Sequence, residues 1–593
     1  MERKRFFCVV GAICAGMLSI APFAGAQVTR DELDVPLDHA DPRGATLELA
    51  YARVPARGAA RGTIVFLAGG PGEAAVRDAR VIGAEIQTAA GRGYEVVVVD
   101  QRGAGRSTAL SCPSLRRLKD ADTVAEAAGP VMDCGARLGP ARAFFSTYET
   151  ALDVEDLRAR LGVDEIIPLG VSYGGQVAGE YARRFPDHVQ ALILDSSSPL
   201  EGVDLMARLT QLALPRVLDE ICFTPDCERI LGDTRVLLAR AIEVIGARGL
   251  RGITRGVLYD LVRGADQDPL IRAELPAALQ AATHRDAAPL LRLLRYSEGG
   301  GAAGVNQARF LATSCMEGQL PWAPDSDPRT RPTLFAETLL ADAASYAPFP
   351  VRSILARIPA SLCVSWPATP RPPLPSSAGP DVPVLVLAGR EDLRTPLEDQ
   401  RRIAAQFPAA QLLSVPGVGH SVLGTDLSGC AARAVRQFLA GDAIETCGGR
   451  RAAPLDVALP AFRSLREVPR PAGDVPARIA RTAVAVDLTL RDAERWATAA
   501  ALSARRRVPG LRGGRLEVRR RGVRLIRYEV VRGVRVSGTL AKGPDAIVVT
   551  GSGATGTLRI VGGRVRGVLD GRRITYRPLA PRPRAAGAVY LSG

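Results

Sequence analysis

The stretch Gly170-Val171-Ser172-Tyr173-Gly174-Gly175 joins two segments of opposite character. The apolar residues 166–169 before it predict the end of a buried strand, and residues 176–182 after it predict the start of a helix. A serine between a strand and a helix, with a glycine two residues to either side, is typical of a nucleophile elbow, which lifts the hydroxyl above a sheet. Glycine is expected there because a β-carbon in so tight a turn would collide with neighbouring backbone. Ser172 is therefore the predicted catalytic nucleophile.

Short buried strands and helices alternate on both sides of this turn. Alternation of this kind predicts a mostly parallel sheet that is covered by helices on both faces. Before it, residues 27–60 alternate apolar and polar positions and predict a first pair of antiparallel strands. The buried strands are predicted at residues 63–67, 94–99, 166–169, 191–195, 382–389 and 411–415.

A long segment without buried strands divides the predicted sheet. From about residue 200 to residue 378 the apolar residues follow a helical period, as in 236–245 and 289–294, and the segment ends in a proline-rich exit. It is predicted to be a helical lid inserted over the sheet. The core is accordingly expected to comprise residues 27–200 and 379–450, with the lid at 201–378.

The last part of the chain predicts a separate small domain. A proline-containing linker at residues 451–472 precedes residues 473–593, where one helix around residues 492–504 is followed by alternating segments. The glycine turns at 562–563 and 570–571 are typical of hairpins, so a β-rich antiparallel domain is expected.

The ends of the chain also differ in charge. Residues 451–593 carry 29 basic and 10 acidic side chains, a net charge of +19, whereas the whole chain carries +15. The body at residues 27–450 has a net charge of −6. Such asymmetry favours two units with different partners.

The N-terminus predicts export. Three basic residues at positions 3–5 precede an apolar run to about position 20, and Ala24-Gly25-Ala26 supplies small residues for cleavage. Residues 1–26 are therefore interpreted as a signal peptide, with an uncleaved anchor or a lipid-modified Cys14 as alternatives. No other segment is apolar enough to span a bilayer, so the cleaved chain is expected to be periplasmic or secreted and not transmembrane.

Length, composition and cysteines narrow the class of protein. A chain of 593 residues with 47% hydrophobic and 23% charged residues is predicted to fold into two or three domains and is not intrinsically disordered. Eight cysteines follow the signal peptide, and an even number in an exported chain favours disulfides, of which sequence-neighbour pairing is the simplest of the 105 possibilities. No cysteine pair has a histidine at ligand spacing, so neither a metal site nor a cofactor is predicted.

A serine nucleophile requires a base and an acid that orients the base. His420, one of four histidines, lies in a glycine-rich loop directly after a predicted core strand, and Asp392 follows the preceding strand. The order Ser172, Asp392, His420 is the one found in hydrolases with this type of sheet. Glu391 and Asp195 are the alternative acids.

The oxyanion hole is expected to combine two backbone amides. One belongs to Tyr173, directly after the nucleophile, and the other to the loop Gly69-Gly70-Pro71-Gly72 after the first parallel strand. Glycines there allow the backbone to approach a substrate carbonyl closely.

Four strings together resemble a known family. They are Gly-Gly-Pro-Gly at 69–72, Asp-Gln-Arg-Gly-Xaa-Gly-Xaa-Ser at 100–107, Gly-Xaa-Ser-Tyr-Gly-Gly at 170–175 and Gly-Xaa-Xaa-Asp-Xaa-Xaa-Thr-Pro at 389–396. In this order they resemble the prolyl and tripeptidyl aminopeptidases of the α/β-hydrolase fold, over about residues 30–450. The resemblance implies a serine exopeptidase that removes N-terminal residues from peptides. It also implies Gly70 and Tyr173 as the oxyanion donors.

Three further points concern this resemblance. Ala68 stands where the prolyl enzymes usually carry histidine, which weakens a proline-specific assignment. Residues 314–317 and 363–367 look like the tripeptidyl type, in which lid carboxylates bind the free amine of the substrate, so Glu317 is the candidate amine anchor. Arg102 and Ser107 are expected to brace the loops around the site.

The expected partners are peptides with a free N-terminus. A carboxylester hydrolase on the same triad is the alternative, because the same residues cleave esters. The basic domain is expected to contact an anionic surface of the cell envelope, and nucleic acid is not expected outside the cytoplasm.

Overall fold

In the computed structural model the strands form two eight-stranded sheets. The structure describes residues 28–222, 225–298, 304–372, 379–448, 457–458, 460–471, 474–502, 505–519, 522–540, 545–561 and 564–576. The predicted signal peptide and the turn at 562–563 lie outside these residues. The first sheet has the order β1-β2-β4-β3-β5-β6-β7-β8. Its strands are β1 (Thr29–Pro36), β2 (Thr46–Val54), β3 (Gly62–Leu67), β4 (Tyr94–Val99), β5 (Ile167–Val171), β6 (Leu192–Asp195), β7 (Val384–Gly389) and β8 (Ala410–Val415).

This sheet is parallel from β4 to β8, whereas β1, β2 and β4 pair antiparallel. The prediction of a mostly parallel sheet with an antiparallel start is therefore confirmed. The parallel strands are rich in valine, leucine and isoleucine because helices cover both faces and leave no polar side. The helices that lie between these strands or directly after β8 are α1 (Ala79–Ala90), α2 (Val124–Leu138), α3 (Thr147–Leu161), α4 (Tyr173–Arg184), α15 (Leu397–Ala404), α16 (Val422–Thr425) and α17 (Cys430–Ala440).

An insertion of helices separates β6 from β7, and no strand occurs in its described residues. Its described residues contain ten α-helices and several short 3-10 helices, one of which, Ala265–Gln267, lies near the middle. The α-helices are α5 (Arg208–Ile221), α6 (Pro225–Leu231), α7 (Thr234–Ile245), α8 (Arg255–Gly264), α9 (Pro269–Thr283), α10 (Ala288–Glu298), α11 (Gln307–Glu317), α12 (Arg331–Ala341) and α13 (Val351–Ile354), followed by α14 (Ala360–Cys363), which ends the insertion's helices.

The C-terminal part forms the second sheet, which is antiparallel throughout and follows chain order. The predicted β-rich domain is thus confirmed, and the hairpin at Asp570-Gly571 has the positive φ angles of 46° and 76° that a tight hairpin turn requires. One helix, α18 (Ala477–Leu502), precedes the sheet. The strands are β9 (Arg507–Pro509), β10 (Gly513–Arg519), β11 (Gly522–Glu529), β12 (Arg535–Leu540), β13 (Asp545–Thr550), β14 (Gly556–Val561), β15 (Arg564–Leu569) and β16 (Arg572–Tyr576).

The helix before this sheet corrects the prediction of a helix around residues 492–504. It begins at Ala477, fifteen residues before the expected start. The early part contains β-branched residues, which lower helix propensity, but Ala483, Val486 and Trp496 are fully buried along it. Burial of this apolar face outweighs the local preference.

Four disulfides join cysteines that are neighbours in sequence: Cys112–Cys134, Cys222–Cys227, Cys315–Cys363 and Cys430–Cys447. This is the simplest of the pairings that the sequence allows. None of the described helices combines the length and the apolar character needed to cross a bilayer.

Candidate active site

Ser172 lies in the turn between β5 and α4, with a left-handed φ of 55° and a ψ of −121°. The turn is tight because its glycines approach neighbouring backbone: a β-carbon on Gly170 would lie 2.2 Å from the carbonyl oxygen of Gly174, and one on Gly174 would lie 2.0 Å from that of Leu67. A non-glycine residue in this backbone region is strained, and such strain is found where a nucleophile is presented above a sheet. Ser172 itself is half-buried.

His420 and Asp392 form a buried hydrogen-bonded pair. Nδ1 of His420 lies 2.9 Å from Oδ2 of Asp392, and the Asp392 side chain has no exposed surface. Asp392 follows β7 and His420 follows β8, so adjacent parallel strands bring the two loops together. The other carboxylate oxygen, Oδ1, accepts hydrogen bonds from the backbone N–H groups of Arg394 (2.8 Å) and Thr395 (3.0 Å).

The environment stabilises the charged form of both partners. Burial raises the pKa of Asp392, but the charge and hydrogen bond of His420 outweigh it and lower the pKa of the carboxyl. Burial lowers the pKa of His420, but the charge of Asp392 outweighs it and raises the pKa of the imidazole. The pair can therefore accept a proton at Nε2 of the imidazole while the carboxylate remains ionised.

Ser172 and the His420 loop are both held by Asp195, at the end of β6. The Ser172 N–H donates to the Asp195 carbonyl oxygen (3.0 Å), and the Asp195 carboxylate accepts from the N–H groups of Val422 (2.7 Å) and Leu423 (2.8 Å). No hydrogen bond joins Ser172 Oγ to His420 within the described residues. Bonds of this kind are often long without substrate and shorten when it binds.

The alternative acids are engaged elsewhere. Asp195 caps the start of α16, as its two backbone donors show. Glu391 forms a buried ion pair with Arg272, with 2.7 Å between Oε2 and Nε. Asp392 is therefore the one of the three predicted candidates that contacts the His420 ring.

The loop after β3 lies against the nucleophile. A β-carbon on Gly69 would lie 3.0 Å from the Ser172 β-carbon, so this loop touches the elbow. In the described part of the chain the N–H groups of Gly70 and Tyr173 donate to no protein acceptor. Two free donors next to a serine are what an oxyanion hole requires.

Glu317, the predicted amine anchor, lies behind the elbow. It ends α11 and is 5% exposed. Its carboxylate accepts hydrogen bonds from the N–H (2.6 Å) and Oγ1 (2.5 Å) of Thr147, and the same Oγ1 lies 3.1 Å from the Tyr173 hydroxyl. Burial raises the pKa of this carboxyl despite those bonds.

Three residues near the triad escaped the sequence reasoning. Thr395 donates from Oγ1 to Asp392 Oδ2 (2.8 Å) and lies 3.3 Å from His420 Nδ1. Glu73 follows the glycine loop, and burial raises its pKa while the charge of His420 lowers it. Asp266 comes from the insertion. Thr395 lies inside the quoted string at 389–396 and Glu73 directly follows the one at 69–72, so both could have been found from those strings, but no local pattern singles out Asp266.

Asp266, Asp392 and His420 each have a potential ligand atom within 4.8 Å of the others. A metal could in principle be considered for such a group. The direct 2.9 Å hydrogen bond between His420 and Asp392 instead identifies these two residues as an acid–base pair, with Asp266 as a second carboxylate beside it.

Arg102 and Ser107 brace the surrounding loops. Arg102 is fully buried, pairs with Asp153 through two hydrogen bonds (2.7 and 2.5 Å) and donates to the carbonyl oxygens of Pro36, Leu37 and Phe144. Ser107 Oγ donates to the Asp100 carbonyl oxygen (2.5 Å) and accepts from the Ala50 N–H (2.7 Å). These contacts hold the string at 100–107 against β2 and α3.

Parts of the chain are similar to known proteins. Residues 62–236 match a family described as alpha/beta hydrolase fold, and residues 347–448 match one described as TAP-like protein. The tripeptidyl aminopeptidase of Streptomyces lividans is 26% identical over 435 residues, which cover 66% of this chain and 77% of that protein. Serine protease Hip1 of Mycobacterium tuberculosis is 30% identical over 200 residues, or 30% of this chain and 38% of the relative. A crystal structure of a proline iminopeptidase from Mycobacterium smegmatis covers 69% of this chain and 99% of its own, at 16% identity and a TM-score of 0.35.

Proposed function

We propose that the chain, which matches an alpha/beta hydrolase fold model and a TAP-like model, is a serine aminopeptidase that removes N-terminal residues, singly or as tripeptides, from peptides that carry a free amine. The observation that carries the proposal is the buried His420–Asp392 pair beside the Ser172 elbow.

The proposed reaction proceeds through an acyl-enzyme. His420 takes the Ser172 proton while Oγ attacks the carbonyl carbon, and the oxyanion accepts hydrogen bonds from the N–H groups of Gly70 and Tyr173. The same imidazole then protonates the leaving amine, and water hydrolyses the ester that remains on Ser172. Since the pKa of His420 is raised, activity is expected to fall as the pH drops through a value above the ordinary pKa of 6.5.

A substrate panel tests the proposal. Aminoacyl, prolyl and tripeptidyl p-nitroanilides are compared with their N-acetylated twins and with a short-chain p-nitrophenyl ester, with Ser172→Ala as the blank. Cleavage of the free-amine amides together with rejection of the acetylated twins is the expected result. Turnover of the ester alone would replace the proposal with a carboxylester hydrolase.

We propose Glu317 as the anchor of the substrate amine, supported by its place behind Tyr173. Glu73, which directly follows the glycine loop and interacts electrostatically with His420, is the matched comparison. Glu317→Gln is expected to raise KM at least about tenfold for free-amine substrates, as loss of a close charge pair would. An unchanged KM in Glu317→Gln with a raised one in Glu73→Gln would transfer the role to Glu73.

We further propose that the protein is exported, supported by the four disulfides, which form and persist in oxidising compartments. Expression of the full chain with a C-terminal tag, followed by fractionation and N-terminal sequencing, tests this. A mature N-terminus near residue 27 outside the cytoplasm is expected. A cytoplasmic protein that retains Met1 would contradict it.

The second sheet supports a proposal about the partner of the basic region. Arg559 and Arg566 lie directly opposite each other on β14 and β15, both exposed and without an ion-pair partner in the described chain. Like charges in this position repel unless an anion lies between them. Val548 and Val568 are exposed, and Arg559, Arg566 and Val568 help to line a shallow depression of about 720 Å³, which Asp570 also lines. We propose that this face contacts anionic lipid headgroups of the cell envelope.

Vesicle sedimentation tests the basic face. The wild-type protein is expected to bind vesicles of phosphatidylglycerol and phosphatidylcholine at low salt, to be released by high salt, and to ignore pure phosphatidylcholine. Arg559→Gln with Arg566→Gln is expected to lose most binding, whereas Arg329→Gln, which removes a largely exposed arginine paired with Asp327, is expected to keep it. Equal sedimentation of the three proteins would contradict the proposal.

A further inference from the structure

A second carboxylate reaches the catalytic pair from the insertion. Asp266 lies in the 3-10 helix Ala265–Gln267 and has no exposed surface. Its carbonyl oxygen accepts the N–H of His420 (3.0 Å), and its Oδ2 accepts the N–H of Leu393 (3.2 Å), next to the proposed acid. One residue therefore contacts both loops that carry the base and the acid.

The Asp266 side chain is not fully satisfied. Its Oδ1 is buried and has no hydrogen-bond partner, although Arg394 Nε lies 3.3 Å away without the geometry of a bond. A buried carboxylate oxygen without a donor is costly to keep. Oδ1 forms an ion pair with Arg394 Nε, and potential ligand atoms of Asp266, Asp392 and His420 lie within 4.8 Å of one another, so the Asp266 carboxylate is also close to the imidazole.

Charge on Asp266 favours the protonated form of His420. Burial lowers the pKa of the imidazole, whereas Asp392 and then Asp266 raise it. When His420 accepts the Ser172 proton, the imidazolium lies close to two carboxylates instead of one. The extra stabilisation belongs to the charged state that forms during the reaction.

We propose that Asp266 is a positioning residue of the triad, which holds the His420 loop through its backbone and stabilises the imidazolium through its carboxylate. This rests on the proposed function, because it assigns His420 the role of base.

The same contacts extend from Asp266 to the C-terminal domain. Arg272, in α9, donates to the Asp266 carbonyl oxygen (2.6 Å) and pairs with Glu391. The next two residues of α9 contact the C-terminal part: the Ala273 carbonyl oxygen accepts the Ala458 N–H (2.8 Å), and Glu274 pairs with Arg495 (2.6 Å). Contacts with the C-terminal part thus hold α9 in place, and Arg272 on α9 in turn holds the backbone of Asp266.

The charged groups around Asp266 are contributed by several elements. Besides Asp392 and His420, they comprise Arg394 after β7, Arg263 on α8, Arg272 on α9 and Glu391 before the acid. Removing one negative charge from this group lowers the pKa of His420, because less negative charge then favours the imidazolium.

Asp266→Asn is the decisive variant, because it keeps the shape and an acceptor oxygen but removes the charge. Its kcat is expected to fall about tenfold with KM nearly unchanged, and the acidic limb of its pH profile to move about one unit towards lower pH. Asp268→Asn is the matched control, since Asp268 caps α9 two residues away and asparagine caps as well. It is expected to match the wild type in both measurements.

The pH profile is measured in two ways, by hydrolysis of the best p-nitroanilide and by the rate at which a fluorophosphonate labels Ser172 with loss of fluoride. Labelling depends on the base but not on a peptide, so labelling without peptide hydrolysis would contradict the proposed substrate and still test Asp266. An unmoved acidic limb in Asp266→Asn overturns the inference, even if kcat falls. If the asparagine variant does not fold, as judged by circular dichroism, Asp266→Ser is measured against the same criterion.

Discussion

Asp392 and Asp195 are both buried carboxylates near the His420 loop, but they accept hydrogen bonds from different donors. Asp392 accepts from the imidazole and from the backbone of its own turn. Within the described residues, the Asp195 carboxylate accepts from backbone N–H groups at the start of α16 and from its neighbour Ser196. A role in orienting the base therefore falls to Asp392, and a role in holding the loop falls to Asp195.

Asparagine substitutions distinguish these roles. Asp392→Asn is expected to lower kcat about 10⁴-fold, because the amide favours the wrong imidazole tautomer. Asp195→Asn is expected to lower kcat less than about tenfold and the free energy of unfolding by about 1–3 kcal/mol, since the amide NH2 group cannot accept one of the two backbone N–H bonds of Val422 and Leu423. Steady-state kinetics and urea unfolding measure both effects. Equal losses of kcat would mean that Asp195 acts as the acid.

His39 is a second histidine held by carboxylates, half-buried and far in sequence from the triad. Its Nδ1 lies 2.5 Å from Glu149, and its Nε2 lies 3.2 Å from Asp156 and 3.7 Å from Asp153. Burial lowers its pKa, but these carboxylates outweigh burial and raise the pKa from 6.5 to about 9. His39 is therefore charged at neutral pH and joins β1 to α3.

The His39 cluster makes folding stability depend on pH. Because the folded pKa lies above the unfolded value, the stabilisation is fully present below pH 6.5 and is lost as the pH rises through about 9, for a total of about 3 kcal/mol. Wild type and His39→Gln are compared by urea unfolding between pH 6 and pH 10. The difference between them is expected to shrink by that amount over this range, and a constant difference would contradict it.

Residues of the site were predictable to different degrees. Ser172 is marked by its own neighbours, because the glycines that permit the elbow lie within two residues of it. His420 and Asp392 follow from loop positions at the ends of parallel strands. Asp266 depends on contacts more than a hundred residues apart in sequence, which no local pattern encodes.

At the scale of elements, the approach of the insertion to the His420 loop depends on one glycine. A β-carbon on Gly419 would lie 2.0 Å from the Asp266 carbonyl oxygen and 2.5 Å from Arg272 Nη1. Backbone this close leaves no room for a side chain, so the loop and the 3-10 helix must separate if one is added.

Gly419→Ala is accordingly expected to lower kcat/KM by more than about tenfold and to destabilise the fold by about 1–3 kcal/mol. Gly424→Ala is the control. Gly424 lies in α16, and the only neighbour of an added β-carbon would be Glu85 Oε1, at an ordinary contact distance of 3.6 Å. Kinetics and thermal unfolding of the two variants give the comparison. Normal activity in Gly419→Ala would show that the insertion need not touch this loop.

The strands of the core were easier to predict than the first half of α18. Core strands are short apolar runs, and burial on both faces produces that pattern directly. In α18 the segment with Val484, Val486 and Thr489 favours a strand locally, and the buried surface against the second sheet decides for a helix. A short stretch of sequence does not contain the information on this tertiary packing.

At the scale of the molecule, Arg292 links the insertion to the C-terminal domain. It is buried, pairs with Asp492 through two 2.7 Å bonds, lies 3.6 Å above the Trp496 ring and donates to the Pro509 carbonyl oxygen (3.0 Å). The Tyr528 hydroxyl also donates to Asp492 (2.6 Å). Charged and aromatic groups from α10, α18 and the second sheet therefore meet at one guanidinium.

Arg292→Leu is expected to destabilise the protein by about 3–5 kcal/mol, because Asp492 would be left without its cation in a largely buried site. The loss is expected first in the C-terminal sheet, measured by hydrogen exchange of its strands. Arg329→Gln, which removes an exposed arginine, is expected to cost less than about 1 kcal/mol. Similar exchange in both variants would mean that the domains dock without this contact.

The most direct measurement of the central claim is mass spectrometry of the products released from one unlabelled peptide and from its N-acetylated twin. The account predicts that wild-type protein shortens only the free-amine peptide, from its N-terminus, that a Ser172 ester of the released segment is trapped at low pH, and that Ser172→Ala gives neither. Cleavage of the acetylated twin at the same rate, or shortening that persists in Ser172→Ala, would contradict it.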